Sequence, residues 1–304
     1  MDYKKSLDSS LKTAWIILKL IIPIFILADI LFYYNIFEYI SFLVEPFTSI
    51  VGLPPQTSLA LLSGMFLNVY GAIAFAAPLD LTIQQWTIMA VFVGINHALV
   101  VEGVIMKKLG ISNFYSYSLR IIAAFIVGYV TAIMPSSWFS ASSIAVSAFE
   151  AKSYESFYDL IQTSFINASI LSVKVVLLIT ALIFMMDFIK ALPFIKNSQK
   201  NVSKGFSLGV GYILGITYGA GILINEAKSG SMSKADIFYV STFLMIAHAV
   251  IEDTLLFVIF GADFTMAIII RTVAAIIIAG ILVKIYEYKE SKKEEEIGNT
   301  NNIK

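Results

Sequence analysis

Apolar runs long enough to cross a bilayer alternate with short polar turns through most of the chain. A hydrocarbon core of about 30 Å needs about 20 helical residues. Runs of that kind lie near Ala14 to Phe37, Thr87 to Met106, Tyr115 to Met134, Ala168 to Pro193, Ile237 to Phe260 and Thr265 to Tyr286, and they predict six membrane-spanning helices. Two further segments, Ser58 to Pro78 and Phe206 to Glu226, are apolar but interrupted by Gly, Tyr, Asn and Thr. That mixture predicts a backbone that breaks inside the membrane. The expected fold is an all-α integral membrane protein.

Lysine placement decides how the broken segments run, because short cytoplasmic loops carry the excess of Lys and Arg. Lys4, Lys5 and Lys12 place the start of the chain inside, and the first apolar run, without a convincing cleavage site, reads as a retained span. If Ser58 to Pro78 crossed fully, Lys107 and Lys108 would fall outside; a re-entrant hairpin returns them to the cytoplasm. The same treatment of Phe206 to Glu226 keeps Lys190, Lys196, Lys200, Lys204, Lys228 and Lys234 inside and puts the lysine-free turn Gly261 to Phe264 outside. The tail, with Lys289, Lys292 and Lys293, then also lies inside, and its acidic run and Asn-rich end predict a disordered segment. Both termini of this multi-pass protein are expected in the cytoplasm, below a prokaryotic cytoplasmic membrane.

Sliding the chain against itself exposes an internal repeat. His97-Ala98 and His248-Ala249 stand 151 positions apart, as do Gly110 and Gly261, and Arg120 and Arg271. Tyr70-Gly71-Ala72 matches Tyr218-Gly219-Ala220, and Asp29 matches Asp187. Each half is thus expected to hold three membrane helices and one broken or re-entrant hairpin. An odd number of crossings forces the second half to enter from the opposite side, the inverted-repeat plan with a solute site between the halves. The boundaries are 1–12 for a cytoplasmic N-terminus, 13–134 for repeat 1, 135–165 for a connecting segment, 166–286 for repeat 2 and 287–304 for the tail.

Composition narrows the function. Of 304 residues, 58% are hydrophobic and 14% charged, and 21 basic residues balance 21 acidic ones. This apolar chain has no basic face for nucleic acid. It has no cysteine, which removes disulfides and thiolate metal sites. No H-E-x-x-H, P-loop or serine elbow appears, so no enzyme is expected.

The chemistry concentrates on the repeat. The two histidines of the chain share one repeat position; Glu102 and Asp253 each follow five residues later, and Glu252 lies one turn beyond His248. Charges at this depth must face the protein interior or a wet cavity. Three readings stand side by side: His97, Glu102, His248, Glu252 and Asp253 as ligands of a divalent cation, the same groups as a proton relay, or Glu102 and Asp253 neutralising Arg120 and Arg271 as structural ion pairs. The broken hairpins add Asn68, Tyr70, Gly71, Tyr218 and Gly219 as candidate solute contacts, where unwound backbone presents polar groups. Asp29 and Asp187 read as helix-end residues, and Lys19 and Lys174 as snorkelling side chains.

The segment Leu67 to Lys107, with Asn68-Val69-Tyr70-Gly71-Ala72-Ile73 ahead of a polar turn and a His-Ala helix, resembles the Gate domain, often labelled nucleoside recognition. That domain is shared by the membrane part of ferrous iron transport protein B, nucleoside transporters and spore maturation proteins. Tyr218 to Phe257 looks like a second copy. The resemblance implies an inverted pair of Gate repeats whose hairpins and following helices line a solute path, with Asn68, Gly71 and Ala72 at a helix break. The chain departs from the iron protein in lacking its cysteine and a GTPase motif, and shows no nucleoside-binding signature.

The expected function is a permease for a small polar or charged solute. A divalent cation such as ferrous iron stands slightly ahead of a nucleoside or other organic solute moved with protons or sodium. The reading from a different class is a non-transporting scaffold of the spore-maturation type acting through a partner, which predicts that Glu102 and Asp253 pair with the two arginines and that no wet cavity reaches the midplane. No cofactor is expected beyond a transported or bound divalent cation. The partners are the bilayer and the solute, and a homo-oligomer is admitted.

Overall fold

The computed structural model describes residues 3–140, 154–192, 204–216, 223–224 and 232–301, and among them no strand occurs. The protein is an all-helical membrane protein. The helices are α1 (Tyr3–Tyr33), α2 (Ile36–Ile50), α3 (Ser58–Phe66), α4 (Val69–Ala76), α5 (Ile83–Asn96), α6 (Leu99–Lys108) and α7 (Asn113–Ile133). They continue with α8 (Phe157–Ala191), α9 (Lys204–Leu214), α10 (Lys234–Ile246), α11 (Val250–Val258) and α12 (Phe264–Asn301). Among the described residues five stretches are long and apolar enough to cross a membrane, and the pair α5–α6, bent by 40°, makes a sixth. These six coincide with the six apolar runs.

Two long crossings, α1 and α8, pack side by side and antiparallel. Ser6 donates to Asp187 at 2.7 Å, and Ser164 donates to Asp29 at 2.5 Å. Ser6 and Ser164 are 158 positions apart, and so are Asp29 and Asp187, so one bond is the repeat image of the other. The two aspartates are therefore helix-to-helix locks; Tyr154 also donates to Asp29 and Lys190 to Asp187. The chain has no cysteine of its own, so paired cysteines report this register cleanly. Ser6→Cys with Asp187→Cys, and separately Asp29→Cys with Ser164→Cys, are each expected to cross-link within one chain on oxidation; a parallel pair would give neither product.

α3 and α4 form a helical hairpin. At 1.5 Å per residue neither helix, of 9 and 8 residues, can cross the hydrocarbon alone. The reversal falls at Leu67 and Asn68, where Asn68 is extended and its side chain accepts from the Gly71 amide at 3.1 Å, capping α4. Gly71 faces Ser63 and Gly64 faces Ala72, so glycine on each strand of the hairpin lets the helices approach closely.

Several elements lie beyond the apolar runs. α2 was not expected; Pro46 and two glutamates interrupt its hydropathy, and Asn35, in the left-handed region with φ 52°, turns the chain between α1 and α2. α8 starts at Phe157, inside the segment 135–165 expected to be a connector, because Ser156 caps it by accepting from the Asp159 amide. α12 continues to Asn301, well beyond the apolar run that ends at Tyr286. Glu and Lys are strong helix formers, and a helix already nucleated by its membrane span extends cheaply through them. Likewise α1 begins at Tyr3, within the stretch 1–12 set aside as a terminus.

Candidate functional site

In each half a helix is interrupted after the same residues. α5 ends before His97 and α6 begins after Ala98, which is left-handed with φ 46°; α10 ends before His248 and α11 begins after Ala249, with φ 44°. The repeat extends to the flanks. Thr82 caps α5 by accepting from the Gln85 amide and Ser233 caps α10 by accepting from the Asp236 amide, 151 positions on. Gly110 and Gly261 both turn with positive φ, 83° and 111°.

A break inside a membrane helix strands backbone carbonyls that water cannot reach. Here side chains of the same motif satisfy them. His97 Nδ1 donates to Val93 O at 3.0 Å, Arg120 Nε to Ile95 O at 2.7 Å and Arg120 Nη2 to His97 O at 2.6 Å. In the second half His248 Nδ1 donates to Leu244 O at 2.7 Å, Arg271 Nε to Ile246 O at 3.4 Å and Arg271 Nη2 to His248 O at 3.0 Å. Arg271 Nη2 also crosses between the halves to Gly94 O at 2.7 Å. Each arginine is fully buried and satisfies carbonyls at its helix break.

Gly94 is the space that Arg271 occupies, since a methyl group there would collide with the guanidinium. Gly94→Val is therefore expected to lower the thermal midpoint in detergent by several degrees. Gly280→Ala, where nothing lies within 4 Å, should be neutral or slightly stabilising. Equal effects at the two positions would contradict this packing.

The breaks meet at a cavity of about 250 Å³. Its wall takes Asn68 and Tyr70 from the α3–α4 break, His97 and Glu102 from the first His-Ala break, Gly215 from the end of α9, and His248, Glu252 and Asp253 from the second His-Ala break. The imidazoles of His97 and His248 lie 5.1 Å apart, centroid to centroid. Because a carbonyl can only accept, both Nδ1 atoms carry hydrogen, and both Nε2 atoms are presented to the cavity. Glu102 Oε1 lies 3.1 Å from His97 Nε2 and 3.2 Å from His248 Nε2. Asp253, whose side chain is one methylene shorter, stands with the two imidazoles in a group whose candidate ligand atoms lie within 4.8 Å of one another.

The acids also face the arginines. Glu102 Oε2 is 2.8 Å from Arg120 Nη1, off the hydrogen-bond axis, and Asp253 Oδ2 is 3.5 Å from Arg271 Nη2. The pairing of these acids with Arg120 and Arg271 is present, and so is the cavity. Glu252 is half-buried and makes no hydrogen bond or ion pair among the described residues. Gly71 lies against Ser63 in the hairpin and is not among the residues that line the cavity. Tyr218 and Gly219 lie outside the described residues.

This is the neighbourhood in which the chain resembles proteins already grouped into a family. Residues 14–133 match the Gate family model, described as nucleoside recognition. The Gate match takes in α3 to α7, with the first hairpin, the first His-Ala break and Arg120. Over 283 residues the chain is 24% identical to the uncharacterized membrane protein YvoD of Bacillus subtilis (strain 168), covering 90% of this chain and 91% of that protein. No solved structure matches the chain.

Beside the Gate features read from the sequence, the structure adds contributors that it hid. Ala98 and Ala249 hold the left-handed turns, and their amides donate to Gly64 O at 3.0 Å and Gly211 O at 3.4 Å, tying each His-Ala break to the neighbouring hairpin or helix. Alanine is the best helix former, so nothing local marks these turns; their recurrence at 151 was the available signal.

Proposed function

We propose that this protein is a permease of inverted-repeat plan that carries a divalent cation through the cavity between its two His-Ala breaks. The observation that carries the reading is the convergence of two imidazole Nε2 atoms with the carboxylates of Glu102 and Asp253 within a buried pocket. Imidazole and carboxylate suit borderline divalent metals such as ferrous iron. Each imidazole donates its other nitrogen to a backbone carbonyl, the outer support that fixes metal-binding histidines. Charge supports the same class: Arg120 and Arg271 offset Glu102 and Asp253, and Glu252 adds one further carboxyl group to the wall. The reciprocal Asp–Ser bonds between α1 and α8 support the inverted arrangement, since antiparallel packing of equivalent helices is what inversion produces.

A second reading, a nucleoside or other organic solute moved with protons or sodium, draws on the nucleoside-recognition description of the matching family. The scaffold reading meets one of its two expectations, the acid–arginine pairs, while the cavity speaks for a solute. Proteoliposomes loaded with a metal-sensitive dye separate these. Ferrous-iron influx is expected in the native protein and a loss of at least tenfold in His97→Ala and His248→Ala. Influx unchanged by both substitutions would remove the cation reading, and nucleoside uptake in the same vesicles would replace it.

A further inference from the structure

The cavity between the two His-Ala breaks has a floor and a mouth. His97, Glu102, His248 and Asp253 are buried, whereas Asn68, Tyr70, Leu214 and Glu252 on the same wall are half-buried. Exposure therefore rises from the imidazoles toward Glu252. α11 runs the length of this wall and presents one helix face to it: Ala249, Glu252, Asp253 and Leu256, spaced three and four residues apart, all line the cavity.

The first half does not repeat this arrangement. The same face, 151 positions earlier, would be Ala98, Val101, Glu102 and Ile105, and of these four Glu102 alone lines the cavity. Val101, the image of Glu252, is 62% exposed. Gly103, one residue beyond Glu102, packs against the Tyr117 ring of α7. α11 thus bounds the cavity along a whole face, while α6 reaches it with a single carboxylate.

The mouth can be related to one face of the membrane. α11 packs against α4 and α8, Tyr70 lies within electrostatic range of Glu252 and Asp253, and Glu252 within that of Lys190. Lys190 pairs with Asp187 at 3.2 Å, and Asp187 accepts from Ser6, at the start of α1, at 2.7 Å. We propose that water and cations reach the floor of the cavity by a single route, along α11 past Glu252 and Tyr70, from the membrane face on which α1 begins and α8 ends, and that the image route along α6 is shut. The positive-inside rule gives that face to the cytoplasm. A site reached from one face at a time is what a carrier requires, since access from both faces at once would make a channel. Naming the route a cation path rests on the permease reading; its geometry does not.

Single cysteines in this cysteine-free chain test the route. Leu256→Cys at the floor and Leu214→Cys at the mouth are treated with a membrane-impermeant trimethylammonium methanethiosulfonate in intact cells and in inside-out vesicles. Ser9→Cys near the start of α1 and Tyr34→Cys just past its end mark the two faces. Both cavity cysteines are expected to react from the Ser9 face at least tenfold faster than from the Tyr34 face, and Ile105→Cys, the image of Leu256, to react from neither. Retained thermal midpoints confirm that the variants are folded. Faster reaction from the Tyr34 face or equal rates from both would overturn the proposal. So would Leu256→Cys that reacts from neither face, or Ile105→Cys that reacts as fast as Leu256→Cys. Cobalt is expected to slow the reaction of Leu256→Cys; one-sided reaction without that protection would support the route and count against the cation reading alone.

Discussion

Arg271→Leu is expected to destabilise the folded protein more than any other single change at the site, by about 3–5 kcal/mol, the cost typical of breaking a buried ion pair. The guanidinium is fully buried and serves three carbonyls, Ile246, His248 and Gly94, as well as Asp253. Its removal leaves an uncompensated carboxylate and stranded backbone acceptors in a region water does not reach. Adding Asp253→Leu should restore part of the loss by removing the orphaned charge, but not all of it, since the carbonyls remain unpaired. Thermal unfolding in detergent followed by intrinsic fluorescence measures both. Full rescue by the second change would show that Arg271 acts only as a counter-ion, and a native midpoint in Arg271→Leu would refute its bracing role.

The second large effect concerns Glu102. Its longer side chain reaches both imidazoles and Arg120, whereas Asp253 stands at the edge of hydrogen-bond reach of Arg271. The repeat is therefore chemically asymmetric at its centre. Glu102→Gln keeps the shape but loses the charge, and cobalt affinity of the purified protein is expected to fall at least 100-fold; Asp253→Asn should cost about tenfold less than that. Glu252→Gln, at a residue with no hydrogen bond or ion pair among the described residues, is expected to slow uptake while leaving stability unchanged. Titration calorimetry with cobalt and dye-based flux in vesicles check the three together. Equal losses in Glu102→Gln and Asp253→Asn would mean that the halves act alike and that side-chain length is irrelevant.

The parts of this site that could be read from the sequence share one property: they are rare residue types inside apolar runs. His97, His248, Arg120 and Arg271 stand out because a membrane span penalises polar groups, so their recurrence at one spacing carries information. The same spacing marked Glu102 and Asp253, and the structure brings all six into one neighbourhood. Hydropathy could not report helix outside the bilayer, because it measures preference for hydrocarbon and not backbone conformation; hence the early start of α8 at Phe157 and the late end of α12 at Asn301 were missed. Gly71 stayed open between two roles for another reason. Glycine near a break serves equally to open the backbone or to let two helices touch, and only the position of Ser63 distinguishes the two.

Asp29 and Asp187 show what sequence reading gave up by treating residues singly. Each alone resembles a helix-end cap, yet the pair, with Ser6 and Ser164, forms two copies of one bond between antiparallel helices. The information lay in four positions at a common spacing, and serine is too frequent in membrane helices to draw notice by itself.

X-ray absorption at the cobalt edge of the purified, metal-loaded protein tests the central claim most directly, because scattering from imidazole rings counts the histidines on the ion. The account predicts two imidazoles and carboxylate oxygens in the native protein and one imidazole in His97→Ala and in His248→Ala. A bound ion with no imidazole, or a spectrum unchanged in both variants, would contradict it.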